Sequence, residues 1–359
     1  MTDRAISTNL AGRESHFSYC YRMRRILEFS LLFLSVISCQ SAITAGKAYY
    51  EEEQDYEKAR QYLELGIQQA PDSHEAHYYL GQVHAAQRNF PAMAKAFARS
   101  LEISSEYFVT IKRMRARYYT EEYNRGIGLV RHHPADYRAG LFAFRNATII
   151  DPEGQDAWNN LAYVYYRLDS LSAAASTYER ILERNPGSEE ALLNAGNVYI
   201  AKGEYDTALD VFHRLLEQSP YHDEGTRKLG AIYEHFGELE KAGELYRQLS
   251  LINTEDSTLR VDLGRVQRAL GQSSKAIKAF ESALELNPSD EEAFYYLAMV
   301  YAELGKSSKA LPRLEVLAAR MPDRHEVWNE LSKLYAARGW ITRSKEAAAK
   351  AQALSDNND

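Results

Sequence analysis

One glycine recurs every 34 residues through the second half of the chain. Glycine readily adopts the left-handed backbone that ends a helix, so its fixed spacing predicts helix ends at a fixed spacing. An alanine and a proline keep the same step. The three columns are Gly203, Gly237, Gly271, Gly305 and Gly339; Ala174, Ala208, Ala242, Ala276 and Ala310; and Pro152, Pro186, Pro220, Pro288 and Pro322. A period of this length indicates an all-α stack of helical hairpins, each burying one face against its neighbours.

Aromatic residues follow the same period and complete a pattern. Residues 155–188 carry it as Trp158, Leu161, Ala162, Tyr165, Ala174, Tyr178, Ile181 and Pro186. This order of bulky, small and aromatic residues resembles the tetratricopeptide repeat family. The resemblance implies an α-solenoid that forms a right-handed superhelix, in which the first helix of each repeat, helix A, lines the concave side.

The pattern predicts about nine repeats. They begin near residues 40, 74, 121, 155, 189, 223, 257, 291 and 325. Repeats one and two therefore occupy residues 40–107, and repeats three to nine occupy residues 121–356. The outer repeats match the pattern less well, which is expected of caps that lack one stacking neighbour.

Residues 108–120 break the period. They contain four cations and no acid, and their apolar residues fall on one helical face. We expect them to lengthen helix A of repeat three or to form a projecting helix. The cations offer a docking surface for anionic lipid or an acidic partner, and the alternative is a solvated extension that pairs with nearby acids. These cations are Lys112, Arg113, Arg115 and Arg117.

Residues 23–38 have the composition of a secretory signal peptide. Arg24 and Arg25 precede an apolar stretch at residues 29–38. As a helix this stretch would extend ~15 Å, about half the hydrocarbon thickness of a bilayer. We interpret residues 1–22 as an untranslated or disordered extension before the signal.

The signal ends in the residues VISC at positions 36–39, which resemble the lipobox of bacterial lipoproteins. The resemblance implies that the chain is cut before Cys39 and that Cys39 is acylated. Several acyl chains would anchor the protein firmly. In a two-membrane bacterium, Gln40 in place of Asp favours the outer membrane by the same resemblance. The alternative is that residues 1–38 are not a signal.

In this family the second, fifth, sixth, ninth, twelfth and thirteenth residues of helix A face the concave groove. An Asn there can donate to and accept from a peptide backbone, and a cation suits an acidic side chain or a terminal carboxylate. The candidate groove residues are Asn159, Asn160, Tyr163, Asn194, Asn197, Arg227, Lys228, Arg265 and Arg268. Two tyrosine pairs, Tyr78 with Tyr79 and Tyr295 with Tyr296, are candidate aromatic contacts. The alternatives are variable surface positions for the Asn residues and packing for the tyrosines.

Composition argues against several other functions. The net charge is -7, and residues 1–38 carry two net positive charges, so the remainder is more acidic still and nucleic acid is not an expected partner. Both cysteines, Cys20 and Cys39, precede the repeats, which excludes a cysteine metal site or disulfide framework in the body. The sequence offers no phosphate-binding glycine loop and no catalytic or metal motif. We therefore expect no cofactor, no metal and no enzymatic activity.

The leading hypothesis is a lipid-anchored scaffold of the bacterial cell envelope, on the periplasmic face of the outer membrane, that binds segments or domains of other envelope proteins in its groove. Two alternatives stay open. One is a soluble cytosolic adaptor or co-chaperone, and the other is a non-catalytic subunit that presents substrates to an enzyme. The partner and the oligomeric state do not follow from the sequence.

Overall fold

The computed structural model describes residues 40–132 and 136–356, so the extension, the signal peptide and Cys39 lie outside the described residues. Within the described part the chain forms eighteen helices and no strand. Helix α1 covers residues 40–48 and continues as a π-helical turn at Tyr49–Glu53. The others are α2 Tyr56–Gln69, α3 His74–Ala86, α4 Phe90–Ile103, α5 Phe108–Arg131, α6 Tyr137–Ile150, α7 Gln155–Arg167, α8 Leu171–Arg184, α9 Glu189–Lys202, α10 Tyr205–Gln218, α11 Asp223–His235, α12 Leu239–Ile252, α13 Ser257–Ala269, α14 Ser273–Leu286, α15 Glu291–Glu303, α16 Ser307–Arg320, α17 His325–Ala337 and α18 Ile341–Asp356.

The helices pair as predicted. Each odd-numbered helix is a helix A and each even-numbered helix is the helix B that follows it, which gives nine pairs in the described residues. The prediction of an all-α fold with about nine helical repeats is therefore confirmed. The chain divides into two compact units, one ending at Thr177 and one beginning at Tyr178, so the boundary falls inside α8.

Small residues let the two helices of a pair approach closely. A Cβ atom added to Gly196 on α9 would lie 2.5 Å from the ring of Phe212 on α10, and one added to Gly264 would lie 2.5 Å from Phe280. Both rings are fully buried. Because a side chain at either glycine would collide with an immobile ring, the close approach requires glycine.

The turn after helix A requires a left-handed residue. In repeats five to nine this residue is the periodic glycine, with φ between 67° and 75°. The equivalent residues of repeats one, two and four are Gln54, Arg88 and Asp169, with φ of 53°, 55° and 56°. A side chain in this conformation costs roughly 1–2 kcal/mol. The turn geometry is therefore kept in the first unit at positions where the glycine is missing.

Residues 108–120 form the first half of α5, which has 24 residues. Ile111 and Tyr118 are buried and pack with Tyr78, Phe90 and other residues of the first unit. The segment thus lengthens helix A of repeat three and contributes one side to the core.

No helix in residues 40–132 or 136–356 combines the length and the apolar character needed to cross a bilayer.

Candidate binding surfaces

The candidate groove residues of the first unit lie on α7. Asn159 is only 7% exposed, so burial removes it from the surface positions. Asn160 is half-buried and its amide nitrogen donates to the backbone oxygen of Asp156 at 2.8 Å. Tyr163 is exposed, and its hydroxyl accepts a hydrogen bond of 2.7 Å from Arg167. Of these three, Tyr163 offers the most accessible contact.

Two asparagines of the second unit are available for hydrogen bonding. Asn194 and Asn197 are half-buried on α9 and lie one helical turn apart, hence on the same face. Neither side-chain amide has a hydrogen-bond partner among the residues that the structure describes. Each can therefore offer both a donor and an acceptor to a ligand.

The three candidate arginines of the second unit form ion pairs with acidic side chains of the protein itself. Arg227 forms ion pairs with Asp223 at 2.6 Å, with Asp262 at 3.2 Å and with Asp256. The guanidinium groups of Arg265 and Arg268 are paired in the same way: Arg265 with Glu234 at 2.8 Å and Asp262 at 3.1 Å, and Arg268 with Glu303 at 3.0 Å. The pairs of Arg227 with Asp262, Arg265 with Glu234 and Arg268 with Glu303 join neighbouring repeats, so the three arginines serve packing before they can serve a ligand.

The second unit retains one candidate groove cation that is not neutralised. Lys228 is half-buried on α11, and the described residues supply no ion-pair partner for it. The pKa of the Asp262 carboxyl in the arginine cluster is raised, because burial outweighs the opposing effects of Arg265 and Arg227. A ligand carboxylate is therefore better placed beside Lys228 than beside the acid-rich arginine cluster.

Both members of each tyrosine pair pack against a hydrophobic core, and one member of each pair is buried. Tyr78 is 7% exposed and stacks on Tyr107 with ring centroids 3.8 Å apart. Tyr295 is equally buried, and the Arg324 guanidinium lies 3.9 Å from its ring centroid. The half-buried members are Tyr79 and Tyr296.

The basic segment of α5 divides into paired and unpaired cations. Arg115 donates to the backbone oxygen of Ile150 at 2.7 Å, and Arg117 lies 3.5 Å from Glu121. Lys112 and Arg113 are exposed and have no ion-pair partner in the described part of the chain. Phe108 and Val109, one turn earlier, are 52% and 65% exposed. The segment therefore presents two unpaired cations beside exposed apolar residues.

A hydrogen bond recurs on the face of the helices A that lies opposite the candidate groove residues. The eleventh residue of helix A is often a tyrosine, and its hydroxyl bonds with the residue twenty positions earlier on the preceding helix B. In the second unit these pairs are Tyr199 with Glu179, Tyr233 with His213 at 2.9 Å, Tyr301 with Glu281 at 3.0 Å, and Tyr335 with Glu315 at 2.9 Å. The contact ties repeats five, six, eight and nine to the repeat that precedes each of them.

Cavities lie beside the eleventh residue of helix A at three junctions between repeats. Each is lined by helix B of one repeat and by both helices of the next. The cavity volumes are about 710 Å³ at repeats one and two, 440 Å³ beside Tyr199 and 600 Å³ beside Tyr233. In the first cavity the eleventh residue is His84 and the residue twenty positions earlier is Glu64. The 34-residue period shows the tyrosines of this column in the sequence. Their hydrogen-bond partners, twenty residues earlier, become apparent only when the helices are packed.

In residues 40–132 and 136–356, no three His, Cys, Asp or Glu side chains are grouped in a way that could hold a metal ion.

Family models described as tetratricopeptide repeat match residues 43–107, 135–189, 168–225, 199–263 and 292–323, and one described as TPR repeat matches residues 264–305. The matched ranges pass over residues 108–134, which include all of α5. A comparison with curated proteins found no match.

Solved structures share the fold. A tetratricopeptide repeat protein from Parabacteroides merdae is 19% identical, with a TM-score of 0.52 over 66% of this chain and 93% of its own. The pilF protein of Pseudomonas aeruginosa is 15% identical, with a TM-score of 0.50 over 62% of this chain and 99% of its own. YrrB, described as a TPR protein with an unusual peptide-binding site, is 24% identical over 52% of this chain and 96% of its own, with a TM-score of 0.46.

Proteins with this fold bind other proteins or peptides. The paired helices, the periodic columns and the family matches agree, and the chain belongs to the tetratricopeptide repeat family.

Proposed function

We propose that this protein is a lipid-anchored scaffold that holds extended segments of other cell-envelope proteins against the helices A of repeats five and six. The observation that carries the proposal is the pair of unpartnered amides on α9. Asn194 and Asn197 are half-buried, and a half-buried amide without a partner loses part of its hydration without gaining a hydrogen bond. A peptide backbone supplies both the donor and the acceptor that each amide lacks.

Charge favours a carboxylate near the next repeat. Lys228 occupies the same helix position in repeat six that Asn194 occupies in repeat five, because the two residues are 34 positions apart. An ammonium group without an internal partner suits an acidic side chain or a chain terminus. The ion pairs within the protein are retained, and they involve Arg227, Arg265 and Arg268. These arginines form part of the surface without binding the ligand.

The sequence at Cys39 supports the anchor, and α5 supports contact with a membrane surface. The unpaired charges of Lys112 and Arg113 beside exposed Phe108 and Val109 suit an anionic bilayer surface, where cations meet lipid head groups and apolar side chains enter the interface. Residues 108–120 would then hold the repeats close to the membrane to which Cys39 is tethered.

The groove is tested by crosslinking and mass spectrometry of the full-length protein in membranes of the source organism. The Asn194→Ala/Asn197→Ala variant should lose the principal crosslinked partner, whereas the wild type and the exposed control Asn185→Ala should keep it. Equal capture by all three proteins would reject this surface.

The anchor has a separate test. Metabolic labelling with a clickable palmitate should mark the wild type in the membrane fraction and leave Cys39→Ala unmarked and soluble. An unmarked, soluble wild type would reject the anchor and favour the cytosolic adaptor.

A further inference from the structure

The cavity at repeats one and two differs from its equivalents in the second unit at its central residue. Tyr199 and Tyr233 place a phenol in the two equivalent cavities, and each phenol reaches a hydrogen-bond partner on the preceding helix B. His84 stands in the tyrosine position here, and no hydrogen bond joins it to Glu64. The Glu64 carboxylate accepts hydrogen bonds from Arg60 at 2.9 and 3.1 Å and has lone pairs left for a second donor, while the phenol is missing.

His84 is left with an unsatisfied polar atom. Its side chain is 9% exposed, and its Nδ1 atom is buried without a hydrogen-bond partner among the described residues. Burial lowers the pKa of the imidazole, so the ring is neutral near pH 7 and its nitrogens can accept or donate according to the tautomer. A buried polar atom without a partner is costly, so the imidazole is held less well than a tyrosine that reaches a partner on the preceding helix B. Nδ1 is shielded from the cavity, and Nε2 is the ring nitrogen left for a ligand hydroxyl.

The outer side of this cavity is also open. In repeats six, eight and nine the nineteenth residue is a cation that covers the tyrosine ring: Lys241 lies 5.0 Å from the Tyr233 ring centroid, Lys309 lies 5.0 Å from that of Tyr301, and Arg343 lies 5.9 Å from that of Tyr335. The nineteenth residue of repeat two is Ala92, which lines the cavity. A short side chain here leaves the position of the ring without a covering cation.

The remaining walls suit an aromatic ring. Ile67, Leu80 and Ala96 supply apolar surface, and Lys95 and Arg99 lie at the rim. A ring enclosed by aliphatic side chains with a cation at its edge matches the surroundings of the protein's own tyrosines in the second unit.

We propose that this cavity binds a tyrosine side chain from a partner protein, with the ring between Ile67 and Leu80 and the hydroxyl bonded to Glu64 and His84. The partner thereby supplies the phenol that repeat two lacks. Residues seven and eleven of helix A line the cavity, and at 100° per residue they lie opposite the groove positions. The site is therefore independent of the proposed peptide groove.

The probe for this site is N-acetyl-L-tyrosinamide, observed by saturation-transfer NMR against the full chain. N-acetyl-L-phenylalaninamide, which lacks the hydroxyl, should bind the wild type at least ~10-fold more weakly, because the hydrogen bonds of the hydroxyl to Glu64 and His84 are lost. His84→Tyr fills the cavity with an internal phenol and should abolish saturation transfer while raising the melting temperature. Ala92→Lys restores the covering cation and should weaken binding without altering the core.

A matched pair of substitutions should create the site elsewhere. Tyr301→His with Lys309→Ala removes the phenol and its cover beside Glu281, and the variant should bind the probe at one additional site. Asn194→Ala/Asn197→Ala should leave probe binding unchanged, so failure of the groove and failure of this site are distinguishable. Three results would overturn the proposal. They are no saturation transfer from the wild type at millimolar probe, binding of the probe by His84→Tyr as strong as by the wild type, and binding of the phenylalanine analogue as strong as that of the tyrosine probe.

Discussion

The hydroxyl of Tyr301 donates a hydrogen bond of 3.0 Å to Glu281, twenty residues earlier in the chain. Tyr301 lies on helix A of repeat eight and Glu281 on helix B of repeat seven, so one bond joins two repeats. In a repeat protein the stability depends on such contacts between nearest neighbours. The bond therefore supports cooperativity along the second unit.

Removal of this hydroxyl should weaken the junction. We expect Tyr301→Phe to lower the free energy of unfolding by ~1 kcal/mol, because Glu281 loses a partly buried donor. Urea unfolding followed by circular dichroism measures the change. Tyr296→Phe is the matched control, since the Tyr296 hydroxyl has no hydrogen bond in the described residues, and a loss of equal size in the control would contradict the assignment.

The hydrogen bonds between tyrosines and carboxylates predict that the free energy of unfolding falls at alkaline pH. Burial, followed by the hydrogen bond to Glu315, raises the pKa of Tyr335 to about 12. The pKa of a tyrosine in the unfolded chain is ~10. The unfolded state therefore loses its proton first, and stability that is complete below pH ~10 falls as the pH rises toward the folded pKa. Unfolding curves from pH 9 to 11.5 should show a smaller decline for Tyr335→Phe, and an unchanged decline would rule out this residue as a source.

The left-handed turn residues of the first unit offer a gain in stability. Gln54 adopts φ 53° in the position that glycine holds in repeats five to nine. We expect Gln54→Gly to raise the free energy of unfolding by ~1 kcal/mol, since relief of the left-handed strain exceeds the added entropy of the unfolded chain. The reverse change, Gly203→Ala, should destabilise by a similar amount. A melting temperature that falls for Gln54→Gly would contradict the strain.

A buried carboxylate should make the first unit sensitive to acid. Glu122 is fully buried, and Arg125, Arg88 and Asn146 donate hydrogen bonds to it. Burial alone would raise its pKa, but these donors outweigh burial and lower it. The stabilisation is therefore complete above the unfolded pKa and is lost as the pH falls through the folded pKa.

Glu122→Gln should cost ~1–3 kcal/mol at pH 7, because the arginines lose a buried anionic partner. The difference from wild type should shrink at pH 3, where the wild-type carboxyl is increasingly protonated. Glu121→Gln, at an exposed neighbouring carboxylate, is the control and should change stability little. A pH-independent difference would exclude the charge as the cause.

Much of the fold could be predicted from the period, because the turn at Gly203 and the ring of Phe212 against Gly196 are set by residues within a single repeat. The ion pairs of the candidate arginines could not be predicted from the period. Arg227 meets Asp262 only when repeat seven packs on repeat six, and the sequence does not show which acid of that helix would pair with it. For Asn194 and Asn197, the repeat predicts that they lie on the groove side of helix A. That they have no hydrogen-bond partner among the described residues is visible only in the packed structure.

Peptide binding to the helices A is tested most directly by a photo-crosslinking benzoylphenylalanine at the exposed position Ala201, one turn beyond Asn197 on α9. The comparison places the same group at exposed Arg214 on α10. Irradiation of the membrane-anchored protein should yield one partner protein, crosslinked through an extended segment, from position 201, with the yield reduced by Asn194→Ala/Asn197→Ala. Crosslinks that form equally from positions 201 and 214, or that persist unchanged in the double variant, would contradict the groove.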